Sequence, residues 1–565
     1  MIRDFARHVV RITARDAAGQ ALGLCKLDKQ TWEIDSDAAP AMPIRIVYEV
    51  YARDPSVRSA RLDRTEGFFN GPSLFLAVDG LDGEPIHVEL LPPPGDSGHD
   101  WQLATSLRPR AADPRGFGIY WAQDYADLID HPVLMGRLER VPFQVRGVDH
   151  ALVLAGRHHG DLTRLGTDLA RVCECHAALF GTLPVDRYLF LATVMGEGYG
   201  GLEHRFSCAL ICSRDDLPAV GAVAREAPEG YRRFLGLCSH EYFHLWHVTR
   251  IRPAVLVGAD LSSEVHTRLL WVFEGFTSYY DDLALVRSGV IGLAAYLQLL
   301  AENLTRVLRT PGRLLQTLAE SSFDAWTKFY RQDENGPNAV VSYYAKGALV
   351  ALALDLTLRQ GTAGRVTLDD LMRALWVRHG ETGVGVPERG VESLAAELSG
   401  MDLDGFFAAA VDGTGDLDLQ PLLASVGLAM RLRPATGPKD FGGQVESFTP
   451  IPLLVPPTLG VRLRPGSRDA VLQNVYSGSA GEAAGLAPGD QVVAVGGLRA
   501  TAENLDRLVA AAKGPLLLHV FRQDELLELA ADPRPAPADT CELMLALDAT
   551  SAQTAARGAW LWGRG

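Results

Sequence analysis

The sequence predicts a multidomain α+β fold: a β-rich N-terminal domain, a mainly α-helical domain in the middle and a compact β-rich domain towards the C-terminus. Strand-like alternation dominates the first part, helical periodicity fills the second, and short apolar strands around one helix make up the third. A chain of 565 residues is long enough for three or four domains. The predicted parts are an N-terminal domain at 1–150, a helical domain at 151–430, a linker at 431–457, a C-terminal domain at 458–531 and a tail at 532–565.

Individual elements follow from local patterns. Residues 44–51 alternate at period two and predict a half-buried strand, and Asp161 predicts the N-cap of a helix that ends near Phe180. A strand at 188–195 follows. Later helices are predicted at 294–309, 342–359, 367–377 and 390–399. The C-terminal domain is predicted to have strands at 461–463, 470–475, 491–495 and 516–520, with a helix at 502–512.

Charge and hydropathy argue against several kinds of partner. The 54 lysines and arginines are outnumbered by 69 aspartates and glutamates, which gives a net charge of −15. A negative protein is repelled by nucleic acid and by anionic membranes, so neither is a predicted partner. Apolar runs such as Ala348–Leu356 are too short to span a bilayer, so no membrane segment is predicted.

Two features predict a cytoplasmic location. The seven cysteines are odd in number and irregularly spaced, which argues against a disulfide framework and indicates a reducing compartment. The first eight residues, MIRDFARH, contain no apolar stretch of the kind that begins a secretory signal.

A metal-binding pattern lies at the centre of the chain. His240-Glu241-Tyr242-Phe243-His244 is an H-E-x-x-H sequence, and on a helix residues four apart share one face. His240 and His244 can therefore ligate one zinc ion, while Glu241 can take a proton from the water that the metal activates. The alternative is a surface helix with two unrelated histidines, but the stretch before the motif is too apolar for a fully solvated helix.

A third ligand is expected from a second helix, because a catalytic zinc uses three protein ligands and one open position. Glu274 lies among Trp271, Phe273, Phe276 and Tyr279, where a carboxylate is costly unless it is paired or bound to a metal. We therefore predict His240, His244 and Glu274 as the ligands of one Zn²⁺ ion per chain.

Glu203 is the predicted substrate anchor. Gly200 and Gly201 permit a close approach of the backbone just before this carboxylate, at the start of a strand. If the strand lines the metal cleft, Glu203 can pair with the free amino group of a peptide, which would make the enzyme an exopeptidase. The alternative is a surface glutamate at the end of a strand.

Three further side chains are candidates near the metal. A tyrosine hydroxyl from the pair Tyr343 and Tyr344 can donate to the oxyanion, although a core tyrosine is the alternative. His247 follows the first ligand by two helical turns and is expected behind the ligands or facing the substrate. Asp281 is a candidate acceptor for the N–H of a ligand imidazole, the alternative being an exposed helical aspartate.

The C-terminal domain carries a candidate peptide-binding loop. Leu459, Gly460 and Val461 place a glycine ahead of a strand, where backbone N–H groups can receive a carboxylate and an added peptide can pair with the strand edge. The alternative is a β-rich spacer that binds nothing.

These motifs together resemble the glycyl aminopeptidase family of zinc metallopeptidases, which belongs to the gluzincins. The resemblance is carried by residues 240–244 with WVFEGFTSYY at 271–280, by GGLEH at 200–204 and by YAKG at 344–347. It implies a thermolysin-like catalytic domain, a C-terminal PDZ domain at 458–531, Glu203 and Gly201 in the substrate site, and Tyr344 rather than Tyr343 as the transition-state tyrosine.

The chain departs from the family pattern at two places. The resemblance places an asparagine at position 247, where this chain has His247. The segment IRDFARH near the start resembles one that follows several further strands, so the N-terminal domain is expected to begin late.

The leading functional prediction is a zinc aminopeptidase that releases N-terminal glycine or alanine from peptides. One alternative is a zinc endopeptidase whose PDZ domain recruits substrates by their C-termini. Another is a catalytically silent scaffold that binds peptides through the PDZ groove. Peptide substrates and a C-terminal peptide ligand are the predicted partners.

Overall fold

The computed structural model describes residues 2–35, 41–95, 98–221, 227–451 and 455–563. The chain divides into two compact units. The first unit comprises Met1–Arg250 and Leu261–Ser263, and the second comprises Ile251–Asp260 and Glu264–Gly565.

The first unit is built mainly from strands. They are β1 (Val9–Arg15), β2 (Ala21–Lys26), β3 (Trp32–Asp35), β4 (Arg45–Val50), β5 (Ala60–Leu62), β6 (Glu66–Phe69), β7 (Ile86–Leu90), β8 (Gln102–Thr105), β9 (Arg108–Ala112), β10 (Gly118–Ala122), β11 (Val133–Gly136), β12 (Leu138–Val145), β13 (Val148–Ala155), β14 (Arg187–Met195), β15 (Tyr199–Glu203) and β16 (Ser207–Ser213). Its α-helices are α1 (Tyr125–Ile129), α2 (Leu162–Phe180) and α3 (Glu229–Phe243).

Four sheets organise these strands. Their orders are β3-β2-β1-β4, β7-β10-β9, β5-β6-β11-β8 and β12-β13-β14-β16-β15. In the last sheet β13, β14 and β16 are parallel, and α2 provides the crossover that a parallel pair requires. Helix α3 packs against α2, β15 and β16, which brings the H-E-x-x-H segment beside the edge strand β15.

Helix α2 shows how local sequence sets an element. The Asp161 side chain accepts a hydrogen bond from the Arg164 amide, and Gly181 ends the helix at φ +77°.

Strand β4 forms as predicted, but its burial differs from the prediction: Ile46 and Val47 are 39% and 56% exposed. Alternation indicates a strand, whereas burial depends on what packs against the sheet.

The second unit begins as a helical assembly. Its helices are α4 (Leu270–Phe273), α5 (Gly275–Arg287), α6 (Leu293–Leu308), α7 (Leu318–Phe323), α8 (Gly336–Ala339), α9 (Ala345–Gly361), α10 (Leu368–Leu375), α11 (Gly390–Ser399), α12 (Asp404–Ala410) and α13 (Leu419–Ser425). The predicted succession of a β-rich N-terminal region and a helical middle region is confirmed.

Helices α5 and α9 meet at two glycines. A Cβ built on Gly275 would lie 2.6 Å from the Gly347 Cα, and a Cβ on Gly347 would lie 2.9 Å from the Gly275 Cα. This close contact places the residues just before each helix, Glu274 and Tyr344, in one neighbourhood of the second unit.

A buried carboxylate ties the helices of this unit together. Asp355 of α9 is fully buried and accepts hydrogen bonds from the Tyr279 hydroxyl of α5, the Arg359 guanidinium and the Leu368 amide. Such a charge is tolerated in a core because each oxygen has donors.

The rest of the second unit is again rich in strands. These are β17 (Leu428–Arg433), β18 (Gly443–Gln444), β19 (Pro457–Thr458), β20 (Val461–Leu463), β21 (Ala470–Val475), β22 (Gln491–Val495), β23 (Leu498–Arg499), β24 (Leu516–Arg522), β25 (Glu525–Ala531), β26 (Arg534–Pro535) and β27 (Thr540–Leu545). The helices are α14 (Ala480–Ala483), α15 (Leu505–Ala510) and α16 (Ser551–Trp562).

Residues 458–531, which we call the β-module, have a hydrophobic core of their own. Its sheet runs β20-β21-β22-β24-β25, with β23 beside β22. The core is formed by side chains such as Leu472, Val492, Leu518 and Val520. At the boundary of the module, Thr458 of β19 pairs with Arg534 of β26 in antiparallel register.

The predicted C-terminal tail contributes to the fold. Strand β27 pairs with β17 and β18, and α16 packs on α5, where the Trp560 indole donates to the Tyr279 hydroxyl at 2.8 Å. Trp560 is fully buried. Residues 540–562 are therefore structural elements of the second unit.

The cysteines and the helix lengths bear on two further predictions. Within the described residues all seven cysteines are thiols, and none forms a disulfide. None of the helices in the described part of the chain is both long and apolar enough to cross a bilayer.

Candidate active site

Helix α3 presents both predicted imidazole ligands on one face. The rings of His240 and His244 lie edge to face with centroids 4.7 Å apart, as their spacing of four residues requires. His240 is half-buried and His244 is 1% exposed. Two imidazoles held this closely, one of them away from bulk water, are a suitable pair of donors for a transition metal.

The tautomer of His244 is fixed by a backbone carbonyl. Nδ1 of His244 lies 2.6 Å from the carbonyl oxygen of His247. A carbonyl only accepts, so Nδ1 carries the proton and the neutral ring has its lone pair on Nε2, the atom that can bind a metal. The His247 side chain is itself fully buried and packs edge-on against Phe243.

The carboxylates of Glu203 and Glu241 converge on the same imidazole. One ligand atom from each of Glu203, Glu241 and His244 lies within 4.8 Å of the others, so these three residues of the first unit could hold a metal ion. Glu241 is 5% exposed, and Glu203 is half-buried at the end of β15. The predicted base and the predicted substrate anchor therefore face one small polar space.

Gly201 is what allows β15 to come so close to α3. A Cβ built on Gly201 would lie 1.9 Å from Oε1 of Glu241 and 2.4 Å from its Cδ. A Cβ built on its neighbour Gly200 would meet no atom within 4 Å. Any side chain at position 201 would displace the Glu241 carboxylate, whereas position 200 carries no such constraint.

An aromatic core fixes the other face of α3. His150 Nδ1 lies 3.0 Å from the carbonyl of Val148, so this nitrogen donates, and Nε2 accepts the Tyr242 hydroxyl at 2.9 Å. Burial lowers the pKa of His150, which keeps the ring neutral for this role. The Tyr242 ring also packs edge-on against Tyr188 at 5.0 Å. This support was not predictable from the sequence, because His150 and Tyr242 lie 92 positions apart.

In the second unit Glu274 lies between α4 and α5. Its amide donates to the Leu270 carbonyl, and its side chain is half-buried. Burial is the main cause that raises the pKa of Tyr343 and of Tyr344, and the negative charge of Glu274 raises both further. Asp281, also predicted near the metal, is half-buried on α5 and accepts the Asp282 amide at 2.6 Å.

Tyr344 lies immediately before α9, in a cluster of aromatic rings. Its hydroxyl is 3.0 Å from that of Tyr330, and the Tyr343 hydroxyl donates to Tyr330 at 3.1 Å. The rings of Tyr343 and Tyr344 stack with centroids 4.7 Å apart. Tyr330 was not predicted, because it lies in an irregular segment whose sequence shows no periodicity.

The predicted carboxylate loop of the β-module has one glycine in a left-handed conformation. Gly460 has φ +67°, and a Cβ there would lie 2.5 Å from the Ser479 Cβ. The Gly460 amide donates to the Thr458 hydroxyl at 3.1 Å, while the carbonyl of buried Leu459 accepts the Gly481 amide. Val461 begins β20 and pairs with Val475.

The first unit also contains a Ser106–His131–Asp127 arrangement, in which Ser106 and His131 are buried and Asp127 is half-buried. Ser106 Oγ is 2.6 Å from His131 Nδ1, and His131 Nε2 is 3.3 Å from Asp127 Oδ1. Ser106 is only 2% exposed and also contacts the Ser207 hydroxyl, so this network joins the β8–β9 connection to β16.

Known proteins resemble this chain over its whole length. The family model of the peptidase M61 N-terminal domain matches residues 1–137, and that of the M61 glycyl aminopeptidase matches residues 233–350. An aminopeptidase N family protein from Idiomarina loihiensis is 37% identical with a TM-score of 0.92, and the match covers 99% of this chain and 93% of that one.

A more distant likeness is to an M1 zinc metallopeptidase from Deinococcus radiodurans, at 16% identity and a TM-score of 0.45, covering 73% of this chain and 85% of that one. No curated protein matches the chain. The two family models and the Idiomarina loihiensis protein confirm the predicted resemblance, and with it the prediction of a peptidase with aminopeptidase-like activity. The chain belongs to the M61 glycyl aminopeptidase family.

Proposed function

We propose that the protein is a zinc-dependent aminopeptidase that releases N-terminal glycine or alanine from peptides. The observation that carries this proposal is the convergence of Glu203, Glu241 and His244 beneath Gly201. A base, a metal donor and an acidic anchor for an amine are the groups that hydrolysis of the first peptide bond needs.

We assign one zinc ion per chain to His240, His244 and Glu274. Two imidazoles and one carboxylate are a common ligand set for a catalytic zinc. The fixed Nδ1–H tautomer of His244 supports this assignment, because it directs Nε2 to a metal. When bound, the ion would polarise the scissile carbonyl and lower the pKa of the attacking water. Asp281 stays a prediction as acceptor for a ligand imidazole, and the His247 carbonyl already serves His244.

The remaining chemistry belongs to side chains of the protein. Glu241 takes the proton of the attacking water and passes it to the leaving amine. Tyr344 donates a hydrogen bond to the oxyanion as the carbonyl becomes tetrahedral. Glu203 pairs with the free amino group and so fixes the cleavage point one residue from the N-terminus. Gly201 leaves room for the Glu241 carboxylate beside β15.

Replacing the base tests the mechanism. Glu241→Gln keeps the shape of the side chain but cannot accept the proton, so kcat on glycyl and alanyl anilides should fall about 10²- to 10⁴-fold. Zinc content, measured by atomic spectroscopy, should stay near one per chain. Turnover equal to that of the wild type would contradict the assignment of Glu241.

Blocked peptides distinguish the two peptidase hypotheses. If Glu203 binds the amine, acetylated peptides should resist cleavage, and Glu203→Ala should lower kcat/KM on free peptides about 100-fold or more, the loss expected for an unpaired charge. Equal cleavage of acetylated and free peptides would favour the PDZ-guided endopeptidase.

We also propose that residues 458–531 form a PDZ domain whose loop Leu459–Val461 receives a peptide C-terminus. An independent core and the left-handed Gly460 before an edge strand support this. Fluorescence anisotropy with peptides that end in a free or an amidated carboxyl group tests it. Binding that does not depend on the free carboxylate would contradict it.

A cytoplasmic location remains a prediction. It is supported by the seven cysteine thiols, since cysteines outside disulfides are typical of a reducing compartment.

A further inference from the structure

Tyr330 forms the middle of a row of three tyrosine hydroxyls. It lies in a 3₁₀ turn, Phe329–Arg331, and its hydroxyl lies 3.0 Å from that of Tyr344 and 3.1 Å from that of Tyr343. The first of these contacts joins residues 14 positions apart along the chain. The hydroxyl that we assign to the oxyanion is therefore in contact with a second phenol outside α9.

One of the two hydrogen bonds in the row has a defined direction. Each phenol has one proton to donate, and the Tyr343 hydroxyl donates to Tyr330. Between Tyr330 and Tyr344 either hydroxyl can be the donor. If Tyr330 donates, the proton of Tyr344 can go to an acceptor other than these two tyrosines. Hydroxyls linked in one direction also polarise each other, which strengthens the last donor of the row.

The rings around the row are held in place. Phe329 packs on Tyr343 with centroids 4.6 Å apart and on Tyr344 at 5.7 Å. The Tyr330 amide donates to the Ala325 carbonyl at 3.0 Å. On the other side, the Val341 amide donates to the Gln316 side chain at 3.0 Å. The turn and the tyrosine pair are thus fixed by separate contacts, which limits the positions that the three hydroxyls can take.

We propose that Tyr330 is a positioning residue for Tyr344. Its hydroxyl holds the Tyr344 hydroxyl in the orientation that donates to the oxyanion, so it acts in the transition state and contributes little to substrate binding. This inference rests on the role of Tyr344 in the proposed function. Tyr330 is 37% exposed, so Tyr330→Phe is a change at a partly exposed residue and not in the hydrophobic core.

The test compares Tyr330→Phe, Tyr344→Phe and the double variant on alanyl anilide. Tyr344→Phe should lower kcat about 100-fold. Tyr330→Phe should lower kcat about three- to tenfold with KM unchanged, the factor that corresponds to one hydrogen bond. In the double variant the second change should add nothing, because the hydroxyl that Tyr330 orients is already gone. Tyr51→Phe, at a residue 62% exposed in the first unit, is the matched control and should match the wild type.

A binding measurement separates positioning from general stability. The tetrahedral anion of a phosphinic dipeptide resembles the oxyanion, so its affinity, measured by calorimetry, should fall in Tyr330→Phe by the same factor as kcat/KM.

Three outcomes would overturn the inference. If Tyr344→Phe is impaired but Tyr330→Phe has wild-type kcat, Tyr330 does not position it, and the proposed function stands. If Tyr330→Phe costs the same factor with and without the Tyr344 hydroxyl, its role is structural. If Tyr344→Phe is itself fully active, the assigned role of Tyr344 fails, and the inference fails with it.

Discussion

At the scale of single residues, the distance between β15 and α3 depends on Gly201. A methyl group there would overlap Oε1 of Glu241, as the 1.9 Å contact of a built Cβ shows. The overlapping atoms belong to the end of a flexible side chain, so the carboxylate can move without unfolding the protein. A displaced base would lie in the wrong place for the water.

We therefore expect Gly201→Ala to lower kcat about 10- to 100-fold, since a shift of about 1 Å in a reacting group costs this much. The melting temperature should change little. Gly200→Ala is the matched control, because its Cβ meets nothing within 4 Å, and it should keep full activity. Equal activity of the two variants in steady-state assays would show that Glu241 tolerates the displacement.

Motif spacing predicts candidate ligands and a base, because residues four apart on a helix must share a face. His247 was predicted as a candidate near the metal, but the group that contacts His244 and fixes its tautomer is the backbone carbonyl of His247. The contact between the hydroxyls of Tyr330 and Tyr344 was not predicted, because no sequence pattern indicates it. The assignment of Tyr344 over Tyr343 came only from family resemblance, since both hydroxyls have the same chemistry.

At the scale of elements, the contact between α5 and α9 decides where Glu274 and Tyr344 lie. The Cβ of an alanine at position 347 would lie 2.9 Å from both the Gly275 Cα and the Trp271 carbonyl oxygen. Both atoms belong to the backbone, so the helices must separate.

We expect Gly347→Ala to destabilise the protein by about 1–3 kcal/mol, the usual range for overpacking. Activity should fall as well, because the separation moves Glu274 and Tyr344. Gly405→Ala on α12 is the control: its Cβ has open space, and alanine favours the helix, so a gain of up to about 1 kcal/mol is expected. Chemical denaturation measures both, and an unchanged midpoint for Gly347→Ala would contradict the expectation.

Element boundaries were predicted well where capping chemistry is explicit. Asp161 caps α2, which ends at Phe180 as expected, and β21 spans Ala470–Val475 as its alternation indicates. Burial was predicted less well, as β4 shows, because a strand's pattern does not reveal whether another layer covers it.

At the scale of the whole molecule, the proposed zinc should contribute to stability, because a ligand that binds only the folded state stabilises it in proportion to the logarithm of its concentration. A chelator should therefore lower the melting temperature by several degrees, and added zinc should restore it. Glu274→Ala should reduce this difference, whereas Glu264→Gln, at a side chain 43% exposed, should retain it. Differential scanning calorimetry with and without chelator measures the effect, and no shift in the wild type would contradict the zinc assignment.

The succession of β-rich and helical regions was predictable from periodicity. The packing of the C-terminal segment against the earlier helices of the second unit was not. Strand β27 and helix α16 follow a proline-rich stretch, and the partners of α16, such as Tyr279, lie almost 300 residues earlier. A long-range contact of this kind leaves no local signal in the sequence.

The antiparallel partners Thr458 and Arg534 have a practical consequence for protein engineering. Because they face each other, a two-residue Asn-Gly turn could replace residues 459–533 and convert the ribbon of β19 and β26 into a hairpin. Asn338 would then lose its bonds to Val475 and Ser477, but α16 would still be joined to the peptidase helices. We expect such a shortened protein to fold and to cleave alanyl anilide. Circular dichroism and an activity assay would show whether the β-module is dispensable for folding and for catalysis.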